Sequence, residues 1–497
     1  MTSKPSLLLQ DQYGLFINGE FIPSNDNQYR VSHSPVDGSV LAEFAEATQE
    51  DVNKAVEAAK QAFESYKLTT KKERAKLLNA IADIIDEYAD HLALVETMDN
   101  GKPIRETSSI DIPLAADHFR YFAGVILAEE GTVNQINNTT LSIVQREPIG
   151  VVGQIIPWNF PFLMAAWKLA PALAAGDTVV MKPSSSTSLS LLELMRLCQD
   201  IIPAGVVNVI TGSGSKSGEF ILEHPDFVKL AFTGSTEIGY RVAQKAAEKL
   251  IPATLELGGK SANIFFDDVD MDKAMDSLLL GILFNQGQVC CAGSRAFVHE
   301  SIYDKFVERA TQVFKKVKIG PAWDPETQLG AQVNENQCEK VLSYIQIAKE
   351  EGATIAVGGR RVTTDELENG VYTEATLITD VTNDMRVAQE EIFGPVVVVI
   401  PFSDEEQVIQ YANDTEYGLG GGVHTKDISR AIRVAQALET GRVWINTYNN
   451  VSEGAPFGGY KKSGIGRETH KMALDAYSQV KNIMIDISDS TTGLYNI

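Results

Sequence analysis

The stretch GVVGQIIPWN, residues 150–159, decides the fold, because it opens a repeating pattern that runs to residue 266. An apolar run of strand length ends at a proline, a loop follows, and another apolar run begins at residue 178. We predict strands at 151–156, 178–182, 206–210, 229–232 and 262–266, with helices at 188–199, 217–223 and 236–249. Strands that alternate with helices in short units predict an α/β fold with a mainly parallel, Rossmann-like sheet.

The residues before this region are predicted to be mainly helical. Residues 14–45 alternate in character and contain several prolines, which predicts a small hairpin region. Apolar residues at three- and four-residue spacing predict helices from residue 49, over 71–98 and over 111–129. The second of these helices is expected to end at Asp99-Asn100-Gly101, with Pro103 just beyond.

A second α/β region is expected after residue 259, and two β-rich segments lie outside both regions. Helices are predicted at 303–317 and 333–351, a strand at 396–400, and a flexible turn at 418–422. The alternating, β-branched segment 139–145 is isolated between helical and α/β sections. An isolated ribbon is marginally stable. We therefore expect it to pair with a distant segment such as 480–487, or with another subunit.

Length and charge limit the class of protein. A chain of 497 residues is too long for one core, so two or three domains are expected. The formal net charge of −23 argues against nucleic acid or an anionic membrane as a partner. No apolar run approaches the roughly 20 residues that span a bilayer. The N-terminus shows no secretory signal, and four unevenly spaced cysteines show no disulfide framework, so we expect a cytoplasmic protein.

Polar features lie where predicted strands end, which is where ligands bind parallel sheets. Asn159 follows the first strand, and Lys182 ends the next one, held extended by the following proline. Glycine-rich turns at 212–218 and 233–239 each precede a helix, whose N-terminal amides favour a pyrophosphate. Neither turn matches the Gly-x-Gly-x-x-Gly fingerprint. A structural explanation therefore fits each turn equally well, since glycine is common in the loop between a strand and a helix.

Two further motifs contain candidate catalytic side chains. Glu256 lies between two leucines at a predicted strand end, where burial would raise its pKa and make it a general base. It is also compatible with a surface glutamate. Cys290 lies among Gly, Gln and Ser residues, which suits a nucleophilic thiolate better than a core thiol. A small buried residue at a helix start is the alternative, and either motif alone leaves both interpretations open.

Seven motifs occur together and in one order. They are PWN at 157–159, KP at 182–183, FTGS at 232–235, LELGGK at 255–260, GQVC at 287–290, EIFGP at 391–395 and PFGG at 456–459. Together they resemble the NAD(P)-dependent aldehyde dehydrogenase superfamily over essentially the whole chain. The spacing between Glu256 and Cys290 also suits that family. The segment 99–124 is more closely similar to bacterial acetaldehyde-type members.

The resemblance implies a role for each catalytic candidate. Cys290 resembles the nucleophile that attacks the aldehyde to give a thiohemiacetal, from which hydride transfer to NAD(P) leaves a thioester. The side-chain amide of Asn159 and the N–H of Cys290 resemble the oxyanion hole. Glu256 resembles the base that activates water, so that a carboxylic acid is released. Cys291 is expected to face elsewhere as packing, and no metal is implied.

The resemblance also implies the cofactor contacts. Lys182 resembles the residue that reaches the adenosine ribose, and Glu391 with Phe393 resembles the nicotinamide-ribose clamp. The implied cofactor-binding residues are Ile156, Pro157, Trp158, Asn159, Lys182, Ser184, Ser185, Gly212, Gly218, Phe232, Thr233, Gly234, Ser235, Ile238, Glu256, Leu257, Gly258, Gln337, Lys340, Glu391 and Phe393. NAD-preferring relatives often carry glutamate where this chain has Ser185. We therefore expect use of NADP, alone or alongside NAD.

The implied substrate tunnel is apolar and aromatic. Its residues are Phe160, Met164, Trp167, Phe284 and Phe457. Neither 160–166 nor 448–454 contains Lys or Arg, so no clamp for a substrate carboxylate is expected. A small, uncharged, acetaldehyde-like aldehyde is favoured, with a semialdehyde or an aromatic aldehyde as the alternative. The aromatic residues are also compatible with simple packing at a domain interface.

The family organisation implies three domains and self-association. Residues 1–131 and 151–258 would bind NAD(P), 259–472 would form the catalytic domain, and 132–150 with 473–497 would form a bridging domain of a homodimer or homotetramer. Two other functions are weighed. A CoA-acylating relative lacks the glutamate that matches Glu256. A non-enzymatic structural or binding protein on the same fold is disfavoured by Cys290, Asn159 and Glu256 together.

Overall fold

The computed structural model describes residues 3–364 and 366–495, and its largest sheet has eight strands. The first sheet runs in the order Gly464–Ile465, Ala253–Glu256, Lys229–Thr233, Val151–Ile155, Thr178–Lys182, Val207–Val209, Leu15–Ile17 and Glu20–Ile22. The strands from Ala253–Glu256 to Val207–Val209 are parallel, and the others pair antiparallel at the two edges. The predicted Rossmann-like sheet is therefore confirmed, and the carboxyl ends of its parallel strands share one edge.

The second sheet has seven strands and is also mainly parallel. Its order is Thr354–Val357, Thr376–Thr379, Val396–Phe402, Arg295–His299, Ala262–Phe265, Gly420–His424 and Arg442–Ile445. Only Thr354–Val357, at one edge, pairs antiparallel among these described strands. The central strands are buried on both faces, which explains runs such as Val396–Phe402 that are apolar without alternation.

The third sheet joins the two segments that are isolated in the sequence. Its strands are Ser478–Asp486, Thr140–Pro148 and Thr132–Asn137, and the register pairs Ile483 with Ile143. The predicted pairing of the C-terminal segment with the ribbon is confirmed. Three smaller sheets comprise Gln12–Tyr13, Val40–Ala45 and Tyr29–His33, then Arg361–Val362 with Tyr372–Thr373, and Tyr417–Gly418 with Tyr460–Lys461.

Helices cover the sheets and connect the parallel strands. The α-helices are Gln49–Tyr66, Lys71–Glu87, Ala89–Asn100, Ile104–Glu106, Ile112–Ala128, Pro161–Ala175, Leu189–Cys198, Glu219–Glu223, Thr236–Glu248, Met271–Leu283, Tyr303–Phe314, Glu335–Glu350, Arg386–Gln389, Glu405–Asn413, Ile428–Ala437 and Met472–Ala476. Single π-helical turns lie at Thr107–Asp111 and Gly214–Gly218, and 3₁₀ turns at Phe284–Gly287 and Glu300–Ile302. Among the helices in the described parts of the chain, none has the length and apolar character to cross a membrane.

The structure corrects two predicted elements and adds a helix that the sequence did not predict. The helix predicted over 71–98 is two helices, because the chain bends at Tyr88, whose ψ is 22°. The segment predicted as a flexible turn at 418–422 contains the buried strand Gly420–His424, in which the glycines let neighbouring strands and Tyr448 approach closely. The helix Pro161–Ala175 is absent from the predicted elements. All of its side chains are buried, so it has no polar face to give a helical period.

Gly441 precedes the strand Arg442–Ile445 of the second sheet and packs against the loop that carries Phe457. A Cβ on Gly441 would lie 1.7 Å from the carbonyl oxygen of Gly458. We expect Gly441→Ala to lower the free energy of unfolding by about 2 kcal/mol, because the loop must move away. Gly124, inside the helix Ile112–Ala128, has open space where a Cβ would lie, with nothing within 4 Å. Gly124→Ala is therefore the matched control and should add roughly 0.5 kcal/mol. Thermal and urea unfolding measure the stability of both variants. If Gly441→Ala is as stable as Gly124→Ala, the close packing at Gly441 is contradicted.

Candidate active site

All three predicted catalytic residues line one cavity of about 250 Å³. Asn159, Glu256 and Cys290 line it together. Asn159 and Glu256 come from the carboxyl edge of the first sheet, whereas Cys290 lies in the loop that precedes the strand Arg295–His299 of the second sheet. Side chains 131 residues apart in sequence therefore meet at the junction of the two sheets.

A left-handed turn places Cys290. The helix Met271–Leu283 is followed by three residues with positive φ, namely Asn285 at 47°, Gln286 at 56° and Gly287 at 70°. Gly287 must be glycine, since a Cβ would lie 2.1 Å from the carbonyl oxygen of Gly394. Cys290 then lies in a turn rather than at the helix start considered as the alternative from the sequence.

The two adjacent cysteines share the cavity. Cys290 is partly exposed, Cys291 is buried, and both line the wall. The expectation that Cys291 faces elsewhere is wrong, because both cysteines line the same cavity. The Tyr448 hydroxyl donates to the Cys291 carbonyl at 2.9 Å, and the Cys291 thiol lies 3.6 Å from Asn449 Oδ1. A hydrogen bond with Cys291, followed by burial, holds the pKa of Cys290 well above its usual value.

Asn159 is tied to the cysteine loop through its side chain. Its Nδ2 donates to the Gln288 carbonyl at 2.8 Å, and its own carbonyl accepts from Asn285 Nδ2 at 2.6 Å. The side chain is buried, and the amide has a second hydrogen available for another acceptor. The geometry therefore leaves Asn159 with one N–H that can serve a substrate oxygen.

Glu256 ends a buried strand and is itself buried. The strand Gly464–Ile465 pairs with it, and a Cβ on Gly458 would lie 2.9 Å from Glu256 Oε1. Burial, and then the nearby charge of Glu468, raise the pKa of Glu256 well above its usual value. Its Oε2 atom has no hydrogen-bond partner among the residues that the structure describes. The interpretation of Glu256 as a surface glutamate is therefore wrong.

A buried ion pair supports the wall beside Glu256. Lys168 Nζ lies 2.8 Å from Glu468 Oε1, and both side chains are almost fully buried. Glu468 also pairs through its backbone with Phe457, at 3.1 Å and 2.7 Å. Because Lys168 belongs to the helix Pro161–Ala175, the pair fixes that helix against the loop that carries Phe457.

The five predicted tunnel residues all line this cavity. Trp167 packs edge-on against Phe457 with centroids 5.3 Å apart, and Phe160 contacts Phe284 at 5.8 Å. The cavity also contains lining residues that sequence reasoning missed, namely Ile110, Asp111, Leu114, Leu163, Val289, Asn449 and Val451. Leu163 lies next to the predicted Met164, but nothing in the sequence placed the helix Ile112–Ala128 at the same wall.

The predicted cofactor residues divide into two groups in the structure. Those that line the same cavity are Pro157, Trp158, Asn159, Thr233, Gly234, Ser235, Glu256, Leu257, Gly258, Gln337, Lys340, Glu391 and Phe393. Those outside its lining are Ile156, Lys182, Ser184, Ser185, Gly212, Gly218, Phe232 and Ile238. Ile156 and Phe232 are buried, whereas Ile238 is exposed on the first turn of the helix Thr236–Glu248.

The turn before the helix Thr236–Glu248 has room and donors for a phosphate group. Ser235 caps this helix, accepting from the Ile238 N–H. The hydroxyl oxygens of Thr233 and Thr236 have no hydrogen-bond partner among the described residues. Nearby, Gly258 approaches Glu391 so closely that a Cβ would lie 2.5 Å from its carboxylate. Orphaned hydroxyls and N-terminal amides fit the pyrophosphate of a dinucleotide.

Lys182 lies beneath the turn at residues 212–218. Its Nζ donates to the Pro183 carbonyl at 2.7 Å, and a Cβ on Gly218 would lie 3.9 Å from its side chain. Burial lowers the pKa of Lys182 to about 8, against the opposing effect of the Glu46 carboxylate. The half-buried Ser185 follows three residues later. The structure therefore brings a cation and a hydroxyl to the same end of the sheet.

Comparison with known proteins gives the same answer over nearly the whole chain. The model of the "Aldehyde dehydrogenase family" matches residues 21–483. The chain belongs to the aldehyde dehydrogenase family. It is 49% identical over 491 residues to an acetaldehyde dehydrogenase of Pseudomonas aeruginosa, covering 97% of each chain.

Solved aldehyde dehydrogenase structures superpose closely on this chain. An NAD⁺ complex of an aldehyde dehydrogenase from Bacillus cereus is 44% identical, with a TM-score of 0.94 over 96% of this chain and 97% of that one. A betaine aldehyde dehydrogenase from Staphylococcus aureus, in complex with NAD⁺, is 41% identical, with a TM-score of 0.95 over 98% and 97%. This aldehyde dehydrogenase is therefore an NAD(P)-dependent oxidoreductase, and the family expected from the motifs is confirmed. No His, Cys, Asp and Glu cluster suited to a metal occurs among its described residues.

Cys291 is expected to suppress the reactivity of Cys290 in the cofactor-free aldehyde dehydrogenase. Because the hydrogen bond with Cys291 raises the pKa of Cys290, Cys291→Ala should lower that pKa and increase the thiolate fraction at neutral pH. We expect iodoacetamide to alkylate Cys290 at least about threefold faster in Cys291→Ala than in the wild type at pH 7.5. Mass spectrometry of the modified peptide measures the rate. Cys198→Ala, a remote buried thiol, is the control. An unchanged or slower rate in Cys291→Ala would contradict this coupling.

Proposed function

We propose that this aldehyde dehydrogenase oxidises a small, uncharged aliphatic aldehyde to its carboxylic acid, with Cys290 as nucleophile, Asn159 in the oxyanion hole and Glu256 as base. The observation that carries the proposal is the convergence of these three side chains on one cavity whose far wall is aromatic and aliphatic. The reaction class follows from the family, whereas the residue roles and the substrate class are proposed.

Acylation would begin at Cys290. Its thiolate attacks the aldehyde carbonyl, and the oxygen that becomes negative accepts hydrogen bonds from Asn159 Nδ2 and from the Cys290 backbone N–H. The raised pKa of Cys290 means that the free thiol must first lose its proton, since the thiolate is the nucleophile. NAD(P)⁺, when bound, supplies the hydride acceptor that converts the tetrahedral adduct to a thioester on Cys290.

Deacylation would depend on Glu256. Its unpartnered Oε2 atom lies in a buried site, where a water molecule is the natural donor to it. The carboxylate removes a proton from that water, whose oxygen attacks the thioester carbon, and the Cys290 sulfur leaves as the acid forms. Only the deprotonated form of Glu256 can do this, and burial, which raises the pKa of Glu256, opposes that form.

The cavity wall supports a small uncharged substrate. Around Cys290 the wall is formed by Phe160, Leu163, Trp167 and Phe457, and no arginine lines the cavity among the described residues. Lys340 lines the cavity with Gln337, Glu391 and Phe393, which belong to the proposed cofactor site. A substrate carboxylate would therefore be desolvated without a partner. The similarity to an enzyme named acetaldehyde dehydrogenase supports the same size class.

The cofactor preference, the assembly and the compartment are also proposals. Ser185 near Lys182 supports use of NADP alongside NAD, because a glutamate at that position would repel a 2′-phosphate. Residues 132–150 and 473–497 are proposed to bridge copies of the chain in a dimer or tetramer. The exposed Val133, Ile136 and Met484 of the third sheet support this. The acidic, cysteine-poor composition supports a cytoplasmic location.

Glu256→Gln is expected to separate the two half-reactions. Without a base, deacylation should slow by about 10²-fold or more, while the first turnover still forms reduced cofactor. Stopped-flow absorbance should then show a burst of about one equivalent of reduced cofactor per active site, followed by almost no steady-state turnover. In the wild type, kcat should rise with pH through the raised pKa of Glu256, because the deprotonated base is the active form. If Glu256→Gln loses the burst as well as the steady-state turnover, the assignment of Glu256 as the base of deacylation is contradicted.

A rate matrix tests the substrate and cofactor proposals in one experiment. Acetaldehyde, propanal, benzaldehyde and succinic semialdehyde are each measured with NAD and with NADP, and Cys290→Ala serves as the inactive control. We expect the short aliphatic aldehydes to give the highest kcat/KM, because the wall offers apolar contacts and no cationic clamp. We also expect substantial activity with NADP.

Two outcomes of this matrix would contradict separate parts of the proposal. A higher kcat/KM for succinic semialdehyde than for acetaldehyde and propanal would overturn the substrate class. A kcat/KM with NADP below about one per cent of that with NAD would overturn the inference from Ser185. Ser185→Glu gives the matched comparison, since it should reduce activity with NADP and leave activity with NAD largely intact.

A further inference from the structure

We propose that Glu106 is a positioning residue for the oxyanion hole and acts through Asn285 on Asn159. The inference rests on the role proposed above for Asn159. Glu106 does not line the cavity and would touch neither substrate nor cofactor. Its carboxylate reaches the catalytic loop from the opposite side, where it holds the first residue of the left-handed turn.

The contact between Glu106 and the turn is direct. Glu106 ends the short helix Ile104–Glu106 and is buried. Its Oε2 accepts a hydrogen bond from the backbone N–H of Asn285 at 2.9 Å, across 179 positions of sequence. Asn285 is the residue at which φ becomes positive after the helix Met271–Leu283. Its N–H is buried, so loss of the acceptor would leave the donor unsatisfied inside the protein.

Asn285 passes this constraint to Asn159. Its Nδ2 donates to the Asn159 carbonyl at 2.6 Å and to the Gln288 carbonyl at 3.3 Å. Asn159 Nδ2 donates in turn to the same Gln288 carbonyl, at 2.8 Å. The hydrogen bonds form a closed ring, so a shift of Asn285 would turn the amide that faces the reacting oxygen.

A group of buried charges surrounds Glu106. Lys102 Nζ lies 2.6 Å from Asp111 and 3.9 Å from Glu96, and it lies 4.1 Å from the ring centroid of Phe160. One ammonium thus faces three buried carboxyl groups, and the exposed-side neighbour Arg105 adds a second cation. Burial raises the pKa of Glu106 to about 8 despite its bond to Asn285 and the charge of Lys102.

The protonation state of Glu106 does not decide the contact. A protonated carboxyl keeps one carbonyl oxygen that accepts from the Asn285 N–H, and so does the amide of glutamine. Glu106→Gln should therefore preserve the turn, whereas Glu106→Ala should release it. This difference separates positioning from any role of the Glu106 charge.

The experiment is a double-mutant cycle between Glu106→Ala and Asn159→Ala. Acylation is measured as the burst of reduced cofactor with the best aldehyde from the rate matrix, and iodoacetamide alkylation of Cys290 is measured on the same proteins. Alkylation needs the thiolate but no oxyanion hole. We expect Glu106→Ala to slow acylation about tenfold and alkylation less than about threefold, because acylation needs the aligned hydrogen-bond donor whereas alkylation needs only an accessible thiolate.

The cycle should be strongly non-additive. In the Asn159→Ala background, Glu106→Ala should slow acylation by less than about threefold, because the group that it positions is already absent. Glu106→Gln should acylate within about threefold of wild type. Glu96→Ala is the matched control, since it removes another buried carboxylate near Lys102 that accepts from the Phe162 N–H and does not touch Asn285. It should leave the ratio of acylation to alkylation unchanged.

Each other outcome overturns a defined claim. Additive losses, equal losses in acylation and alkylation, or a Glu106→Gln variant as slow as Glu106→Ala would overturn the positioning role. If Asn159→Ala leaves acylation unchanged, the proposed role of Asn159 fails, and the role of Glu106 fails with it. Should Glu106→Ala not fold, as judged by circular dichroism, Glu106→Asp replaces it, because the shorter carboxylate cannot reach the Asn285 N–H.

Discussion

The left-handed turn at Asn285, Gln286 and Gly287 is the constraint on which the rest of the active site depends. Two of these residues are not glycine, and each costs about 1 kcal/mol or more in this conformation. The cost is offset by buried amide contacts, including Gln286 Nε2 to the Ala331 carbonyl at 3.0 Å. Close backbone approach completes the turn, since a Cβ on Gly259 would lie 2.4 Å from the Cys290 carbonyl oxygen. The turn thus places Cys290, which precedes a strand of the second sheet, at the edge of the first sheet.

The electrostatics of the site follow from the same close packing. Cys290 and Glu256 have no cation within hydrogen-bond distance among the described contacts, and burial opposes the charged form of each. The neighbouring Lys168–Glu468 pair is buried but neutral as a unit, so it fixes the wall at little net charge. Burial therefore disfavours two unpaired anions side by side in this cavity.

The sequence predicted the sheets, and which residues of the family motifs meet in one cavity, better than it predicted the rest of the cavity wall. Alternating strands and turns at 151–266 are local patterns, and the motifs around Asn159, Glu256 and Cys290 belong to a family that the comparisons confirm. The helix Pro161–Ala175 was missed because all of its side chains are buried. Asp111 and Leu114 were missed because only tertiary packing brings the π-helical turn Thr107–Asp111 and the helix that follows it to the cavity. The orientation expected for Cys291 was wrong because a helix start was assumed where the chain forms a turn.

The buried carboxyl groups around Lys102 show why such a wall is difficult to read from sequence. Four ionisable side chains in the core are costly, and apolar residues of similar size would pack there at lower cost. Their retention here has a geometric explanation, because each makes a directed contact that a methyl group cannot. Glu106 holds Asn285, Glu96 holds the Phe162 N–H, and Lys102 spans from Asp111 to the face of Phe160. Glu106 thus contacts the Asn159 side of the cavity through Asn285. Glu96 and Lys102 instead contact Phe162 and Phe160, the residues that follow along the chain. Separate contacts from one group of buried charges therefore hold two neighbouring parts of the structure.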